Sequence, residues 1–549
     1  MNSCNRFQIQ RNVILGILII FLMTLGTKCW STVNCMDSET EIFSTFFGSS
    51  GQDWWGCCMA IDASGNIVVA GSTTSRDFPM LNAYQENHAG GEYDVFIAKF
   101  SPDGQSLLFA TYFGGSGEDH GWDVAVDTTG NIVVTGYTDS TDLPTMNAYQ
   151  ENNNGSWDAF IFKLSADGQS LLFTTYFGGS DNDWGHGLGI DHADSIVIAG
   201  MTTSSDFPTL NDIQGDRRGS VDAFVARFSA DGQSLIFATY LGGNGEEEEY
   251  GVAFDAMGNV VVTGLTTSSN FPRVNAYQQN YGGGFRDVFV TKLSADGQSL
   301  IFSTFLGGLG EECGLAVGVD SMGNVVVTGM TRSTNFPTVN AFQGSHNGRD
   351  DVFISKFGAD GQSLIFSTYF GGSSNDQAMG VAFDNTDNVL ITGETSSSNL
   401  PIVNATQSSQ GGLTDVFVTM FSSDGQALNF STYLSGRNAD QGRDVAADAT
   451  GKIIVAGTTT SNNFPTRNAY QGSYGGNGDI FICKFVPGLP ITETTSTETT
   501  STETGTSYPT NTETTGSESA VPTPGFEIIF ITLELAFIAI LTAKRKNKK

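Results

Sequence analysis

Seven copies of one unit, each 64 or 65 residues long, run through the middle of the chain. The phrase (V/I/F)D…GN(I/V)VV(T/A)G places an aspartate at Asp62, Asp127, Asp191, Asp255, Asp320, Asp384 and Asp448, at intervals of 65, 64, 64, 65, 64 and 64. Pro79, Pro144, Pro208, Pro272, Pro337, Pro401 and Pro465 recur after Phe or Leu with the same intervals. Asp94, Asp158, Asp222, Asp287, Asp351, Asp415 and Asp479 recur before Val-Phe, Ala-Phe or Ile-Phe, at intervals of 64, 64, 65, 64, 64 and 64. A fixed period over this many units restricts the fold to a repeat architecture.

Each unit holds four short runs rich in Val, Ile, Phe, Tyr and Thr. In the second they are 123–127, 132–136, 159–164 and 171–177. Asp-Thr-Thr-Gly-Asn joins the first two and Ala-Asp-Gly-Gln the last two, both suited to hairpin turns. Four strands per unit in a ring of seven describe an all-β, seven-bladed propeller over residues 42–486. The runs are apolar on both faces, as strands sandwiched between neighbouring blades must be. A strand of the type SLLFATYFGG closes units one to six but is missing from the seventh, which stops at DIFICKFVPGLP. Its counterpart, Ile42-Phe-Ser-Thr-Phe-Phe-Gly48, stands in front of the first unit. Residues 42–48 are therefore expected as the outer strand of the last blade, closing the ring and removing its open sheet edges. The string TTSSDFPTLN…DAFVARFSADGQSLIFATYLGG…GVAFDAMGNVVVTG resembles the SBBP (seven-bladed β-propeller) repeat family. That resemblance implies the fold and an extracellular setting, and it names no reaction and no ligand.

The chain of 549 residues carries 25 Lys+Arg against 58 Asp+Glu, a formal charge of −33. Nucleic-acid affinity rests on Lys and Arg meeting phosphates, so this balance argues against such a partner. Forty Phe spread along the chain argue against a disordered polyanion.

The two ends carry export features. Arg6 and Arg11 precede the apolar stretch Val13–Gly26, so residues 1–30 read as a signal peptide or signal anchor. Residues 487–524 read as a Ser/Thr-rich stalk; 491–520 hold 13 Thr, 5 Ser and 5 Glu. An apolar segment at 525–543 reads as a transmembrane helix and the basic 544–549 as a cytoplasmic tail. Thr-rich stalk, Pro524-Gly525-Phe526, apolar helix and basic terminus together resemble the PGF-CTERM sorting signals of archaeal surface proteins. That resemblance implies removal of the segment and re-anchoring by lipid, against retention as a plain membrane anchor. Either way the propeller is expected at the cell membrane, on its outer side.

Propeller topology gathers the inter-blade loops and the long loop after the second strand on one face, leaving the opposite face to tight hairpins. On the loop-rich face an acidic residue stands at one place in every unit: Asp53, Asp119, Asp183, Glu247, Glu312, Asp376 and Asp440. These are expected to ring the mouth of the central channel, where carboxylates suit Ca²⁺ or a cationic partner. The alternative is that each accepts hydrogen bonds from its own turn. The Asp62 series is expected to cap hairpins and the Phe-Pro series to plug gaps between blades, with sugar stacking the alternative for its aromatics. Lys99, Lys163, Arg227, Lys292, Lys356 and Lys484, a series broken by Met420, are placed to pair with the repeated aspartates.

No catalytic constellation emerges. The five histidines occupy different unit positions, and only His120 and His186, near the acidic series, are candidates for acid–base work. Cys57 and Cys58 are strand neighbours expected to point to opposite faces. The disulfide state of Cys35, Cys57, Cys58, Cys313 and Cys483 stays open. Asn154, Asn404 and Asn429 head glycosylation triplets. The reading is an anchored surface propeller acting as a binding or adhesion module toward a glycan or surface protein. An extracellular lyase or hydrolase at the channel mouth, and a structural coat protein, are the alternatives.

Overall fold

The computed structural model describes residues 42–489 and residue 491. The expected signal segment, transmembrane helix, basic tail, Cys35, Pro524, Gly525, Phe526 and all of the stalk beyond residue 489 except residue 491 lie outside them. Among the described residues no helix is long and apolar enough to cross a membrane.

The described chain forms seven antiparallel four-stranded sheets, one blade per repeat. Blade 2 is typical, with strands Asp119–Val126, Ile132–Thr138, Asp158–Leu164 and Leu171–Phe177. The first strands of successive blades touch one another around the axis. Blade 7 orders its strands Phe43–Phe47, Asp479–Phe485, Ile453–Thr459 and Asp440–Ala447, so the N-terminal strand closes the ring as its sequence foretold. Phe43 faces Lys484 and Phe47 faces Ile480 across that seam.

The core is distributed between the blades. One cluster joins Phe43, Phe47 and Ile480 of blade 7 to Ile67, Phe78, Phe96 and Tyr112 of blade 1. Phe78 packs edge-on against Phe47, with ring centroids 4.9 Å apart, and Phe207 does the same to Phe177 one blade away. The Phe-Pro series thus fills the gaps between blades. The hairpin glycines lock the same gaps: Gly168 has φ +71°, and a Cβ there would lie 2.4 Å from the Phe109 ring of the preceding blade.

Charged pins add to the apolar seams. Lys163 meets Asp127 at 2.7 Å within blade 2 and donates to Ala230 O in blade 3 at 3.1 Å. Lys99, Lys292, Lys356 and Lys484 repeat the ion pair at 2.8–3.0 Å, and Arg227 pairs with Asp191. Each aspartate also caps its hairpin: Asp127 accepts from the amides of Thr129 and Asn131.

The first strands start four residues earlier than the pattern of Val and Ile suggests, at Asp119 rather than Asp123. The reason is a β-bulge in the same place in each of them. Pairing with the second strand skips between Gly121 and Asp123, Gly185 and Gly187, Glu249 and Gly251, Gly314 and Ala316, Ala378 and Gly380, and Gly442 and Asp444. Blade 1 skips two residues, between Trp55 and Cys58. A bulge breaks the alternation of side chains and re-aims one of them, and that hid the strand's start from a period-two reading.

Candidate functional site

The seven repeated carboxylates of the loop-rich face are fully buried. Asp119 accepts from the Gly115 amide at 2.7 Å, from Thr138 Oγ1 at 2.5 Å and from Ser140 Oγ at 3.0 Å. Asp376 and Asp440 accept the same three bonds from their own blades. Asp53 does likewise with Ser49, Thr73 and Ser75. Asp183, Glu247 and Glu312 each accept from the equivalent glycine amide. Each of these groups is the first residue of its blade's inner strand. Their oxygens face donors of their own blade, the turn-capping arrangement. Among the described residues, no group of three or more His, Cys, Asp or Glu side chains is placed to hold a metal ion.

Each of these carboxylates has a second beside it. A Cβ on Gly114 would lie 2.7 Å from Asp119 Oδ2 and 2.9 Å from Asp94 Cγ, so the glycine separates two buried acids. Gly48, Gly178, Gly242, Gly307 and Gly371 repeat the arrangement. Burial pushes Asp94 up to about 7 and Asp119 up to about 6.

The glycosylation triplets differ in availability. Asn154 is exposed in its long loop, and Asn429 is exposed on the strand Leu428–Leu434. Asn404 has φ +51° and donates Nδ2 to Asn429 O at 3.0 Å, so its amide is already engaged.

The central channel is where the blades stop being copies. The bulge aims a different residue inward from every blade: Cys57, Trp122, His186, Tyr250, Leu315, Met379 and Arg443 all line one cavity of about 410 Å³. Two residues earlier stand His120, Trp184, Glu248, Cys313, Gln377 and Gln441, and their cross-strand partners Tyr137, Met201, Leu265, Met330, Glu394 and Thr458 vary too. Repetition elsewhere in the unit made these positions invisible to a search for shared residues. Registering the units on the Asp62 series and asking where they disagree would have found them.

One wall of the cavity is aromatic. Trp122 and His186 lie 4.7 Å apart, and His186 stacks on Tyr250 at 5.4 Å with planes 9° apart. Tyr137, stacked on Trp184 at 4.8 Å, continues the aromatic group toward His120, Trp157 and Tyr93. His186 Nδ1 lies 2.8 Å from the backbone oxygen of Glu249. A carbonyl only accepts, so Nδ1 carries the proton and Nε2 is left as an acceptor. Burial lowers His186 to about 4, which keeps the ring neutral. His120 is lowered to about 4 for the same reason but does not line the cavity.

The polar groups of the cavity come from blades 2, 4, 6 and 7. Asp123 accepts from the Val124 amide and, across the blade boundary, from the Leu188 amide, both at 2.8 Å. Burial raises it to about 7, ahead of these bonds, which lower it. Arg286, Gln377 and Arg443 complete the polar lining. Cys57 packs into the core between blades 7 and 1 and Cys58 against that between blades 1 and 2, so they face opposite ways as expected. Both still reach the cavity, because the bulge lies beside them. Cys57, Cys58, Cys313 and Cys483 are free thiols, and burial pushes Cys57 and Cys313 up to about 12, away from thiolate chemistry.

Comparison of the sequence with curated proteins finds no match. Similar solved structures include the WD40 β-propeller domain of Doa1, at 10% identity over 80% of this chain and 96% of that one, with a TM-score of 0.39. A protein of unknown function from Dyadobacter fermentans gives 11%, 81%, 98% and 0.35 in the same order. The endosialidase of phage phi92 gives 10%, 88%, 76% and 0.40. Residues 108–144, 365–401 and 429–465 match the SBBP family model, described as a β-propeller repeat. The chain carries SBBP β-propeller repeats at three places in a seven-bladed ring, a fold suited to a binding or structural module.

Proposed function

We propose that this chain is a cell-surface binding module whose recognition site is the central channel. The observation that carries the proposal is the ring of seven different residues at one bulge position in otherwise similar units. Repeat units copy what the fold needs. A position that the fold needs only for its backbone bulge is free to differ, and here it differs in every blade around a concave cavity. Cavities of 300–1,000 Å³ with an aromatic lining and a few polar groups are the usual form of small-ligand sites. Support for the surface address comes from the order of segments in the sequence: basic and apolar start, propeller, Thr-rich stalk, apolar segment and basic end.

A screen of neutral and acidic glycans and of surface peptides against the purified full chain tests this reading. A bound ligand should be lost when Trp122→Leu and Tyr250→Leu are combined, and kept when the exposed Met257 of the hairpin face becomes Ser. A ligand that survives the double substitution would place recognition elsewhere. Protease treatment of intact cells should release the propeller; protection would contradict the address.

An enzymatic reading has one observation in its favour. Asp123, raised to about 7, and the neutral His186 line the same cavity and are ordered as an acid and a base. Turnover of a bound glycan that is abolished by Asp123→Asn would establish it.

A further inference from the structure

We infer that the channel takes a small organic carboxylate with a ring-shaped body, its carboxylate held by Arg286 and Arg443 and its ring laid against Trp122, His186 and Tyr250. The inference rests on the channel being the recognition site. It starts from how the propeller treats its other buried cations. Lys99, Lys163, Arg227, Lys292, Lys356 and Lys484 each meet an aspartate of their own blade. Arg332, half-buried near the loops, meets both Glu311 and Asp350.

Arg286 and Arg443 break that rule. Both are partly buried and line the cavity, yet neither meets a carboxylate among the described residues. Nε of each is buried without an acceptor. Arg443 donates Nη2 to Gln441 Oε1 at 2.8 Å, and that neutral amide does not balance its charge. Asp123, which lines the cavity, and Asp444, next to Arg443 in the chain, are already engaged. Asp123 is bonded to the Val124 and Leu188 amides, and Asp444 to the Val445 and Met59 amides at 2.7 and 3.1 Å. A guanidinium cannot shed its proton, so burial without a counter-ion leaves a standing cost that a bound anion removes. The planar fork of donors suits a carboxylate.

The rest of the lining describes the body of the ligand. Trp122, tilted against His186, and Tyr250, stacked on it, form an aromatic group on one side, and Leu315, Met330 and Met379 supply apolar surface elsewhere in the lining. His186 Nε2 is an acceptor for a hydroxyl, and Gln377 both donates and accepts. An acidic sugar and an aromatic acid share the required chemistry of ring and carboxylate.

Calorimetric titration of the purified full chain with glucuronate, benzoate, glucose and acetate separates the cases. Glucuronate or benzoate should bind at least about tenfold more tightly than glucose or acetate, and the tighter of the two identifies the source. Arg443→Gln and Arg286→Gln should each weaken that binding by about tenfold or more. Without ligand, each variant should melt no lower than the wild type, because an unbalanced charge has been removed. Glucose binding as tightly as glucuronate, with both lost in Trp122→Leu, would keep the channel as the site and overturn the carboxylate. Carboxylate binding indifferent to Trp122→Leu and to both arginine substitutions would sink the channel reading itself. Absence of binding by every probe at millimolar concentration would overturn the ligand class. So would a marked fall in melting temperature of the ligand-free Arg286→Gln and Arg443→Gln variants, which would make the arginines structural.

Discussion

Asp119 accepts three hydrogen bonds in a place without solvent, and its removal would strand the Gly115 amide and two hydroxyls at once. Each buried donor left unpaired costs about 1–3 kcal/mol, so Asp119→Ala should lower stability by about 3 kcal/mol or more in a denaturant titration. The seven carboxylates of this series are buried and accept from donors of their own turns, and melting in calcium and in EDTA should coincide. A calcium-dependent rise lost in Glu247→Gln and Glu312→Gln would instead make these carboxylates ligands. At this scale the sequence showed which residues repeat but not which way they face. A carboxylate at the start of an inner strand serves a turn or a channel according to a bulge three residues later.

At the scale of the strand, the seam of blade 7 tests how the ring is closed. Phe43, Phe46 and Phe47 are at most 1% exposed, and Phe47 meets Phe78 and Phe100 edge-on at 4.9 and 5.0 Å. Phe47→Ala would open a cavity between the first and last blades and should cost about 3–5 kcal/mol, read from a chemical denaturation midpoint. A loss below about 1 kcal/mol would mean that the N-terminal strand is not needed for closure. Blade number, strand order and this closure were legible from the period and from the one strand missing at the end of the array. The start of the inner strands was not. Gly121-Trp122-Asp123 carries no period-two pattern, because the bulge that shapes it exempts it from alternation.

For the whole molecule, seven pairs of buried acids set the response to pH. Asp94, Asp287 and Asp479 are raised to about 7, and Asp119, Asp158 and Asp183 to about 6, in every case chiefly by burial. A carboxylate with a raised folded pKa binds more protons folded than unfolded. Its stabilising effect is full below the unfolded value of 3.8 and is lost as pH rises through 6 to 7. The hairpin aspartates act in the opposite sense. Burial works to raise Asp127, but its bonds to Lys163 and Asn131 win and hold it at about 2, so its contribution is lost only as pH falls toward that value. Melting temperature should therefore peak at about pH 4 and decline toward pH 8. A maximum near neutrality would show that the acid pairs are not protonated in the folded state.

On the proposed reading, the propeller is held together by what its blades share and recognises through what they do not. The decisive variant makes six of the seven inward positions alike, with Trp122, His186, Tyr250, Met379 and Arg443 all changed to the Leu that blade 5 carries at Leu315 and Cys57 kept. Ligand affinity and melting temperature of this variant would be measured beside those of the wild type. The expected result is a folded ring that melts at or above the wild-type temperature and has lost all binding. Binding retained at full affinity would contradict it.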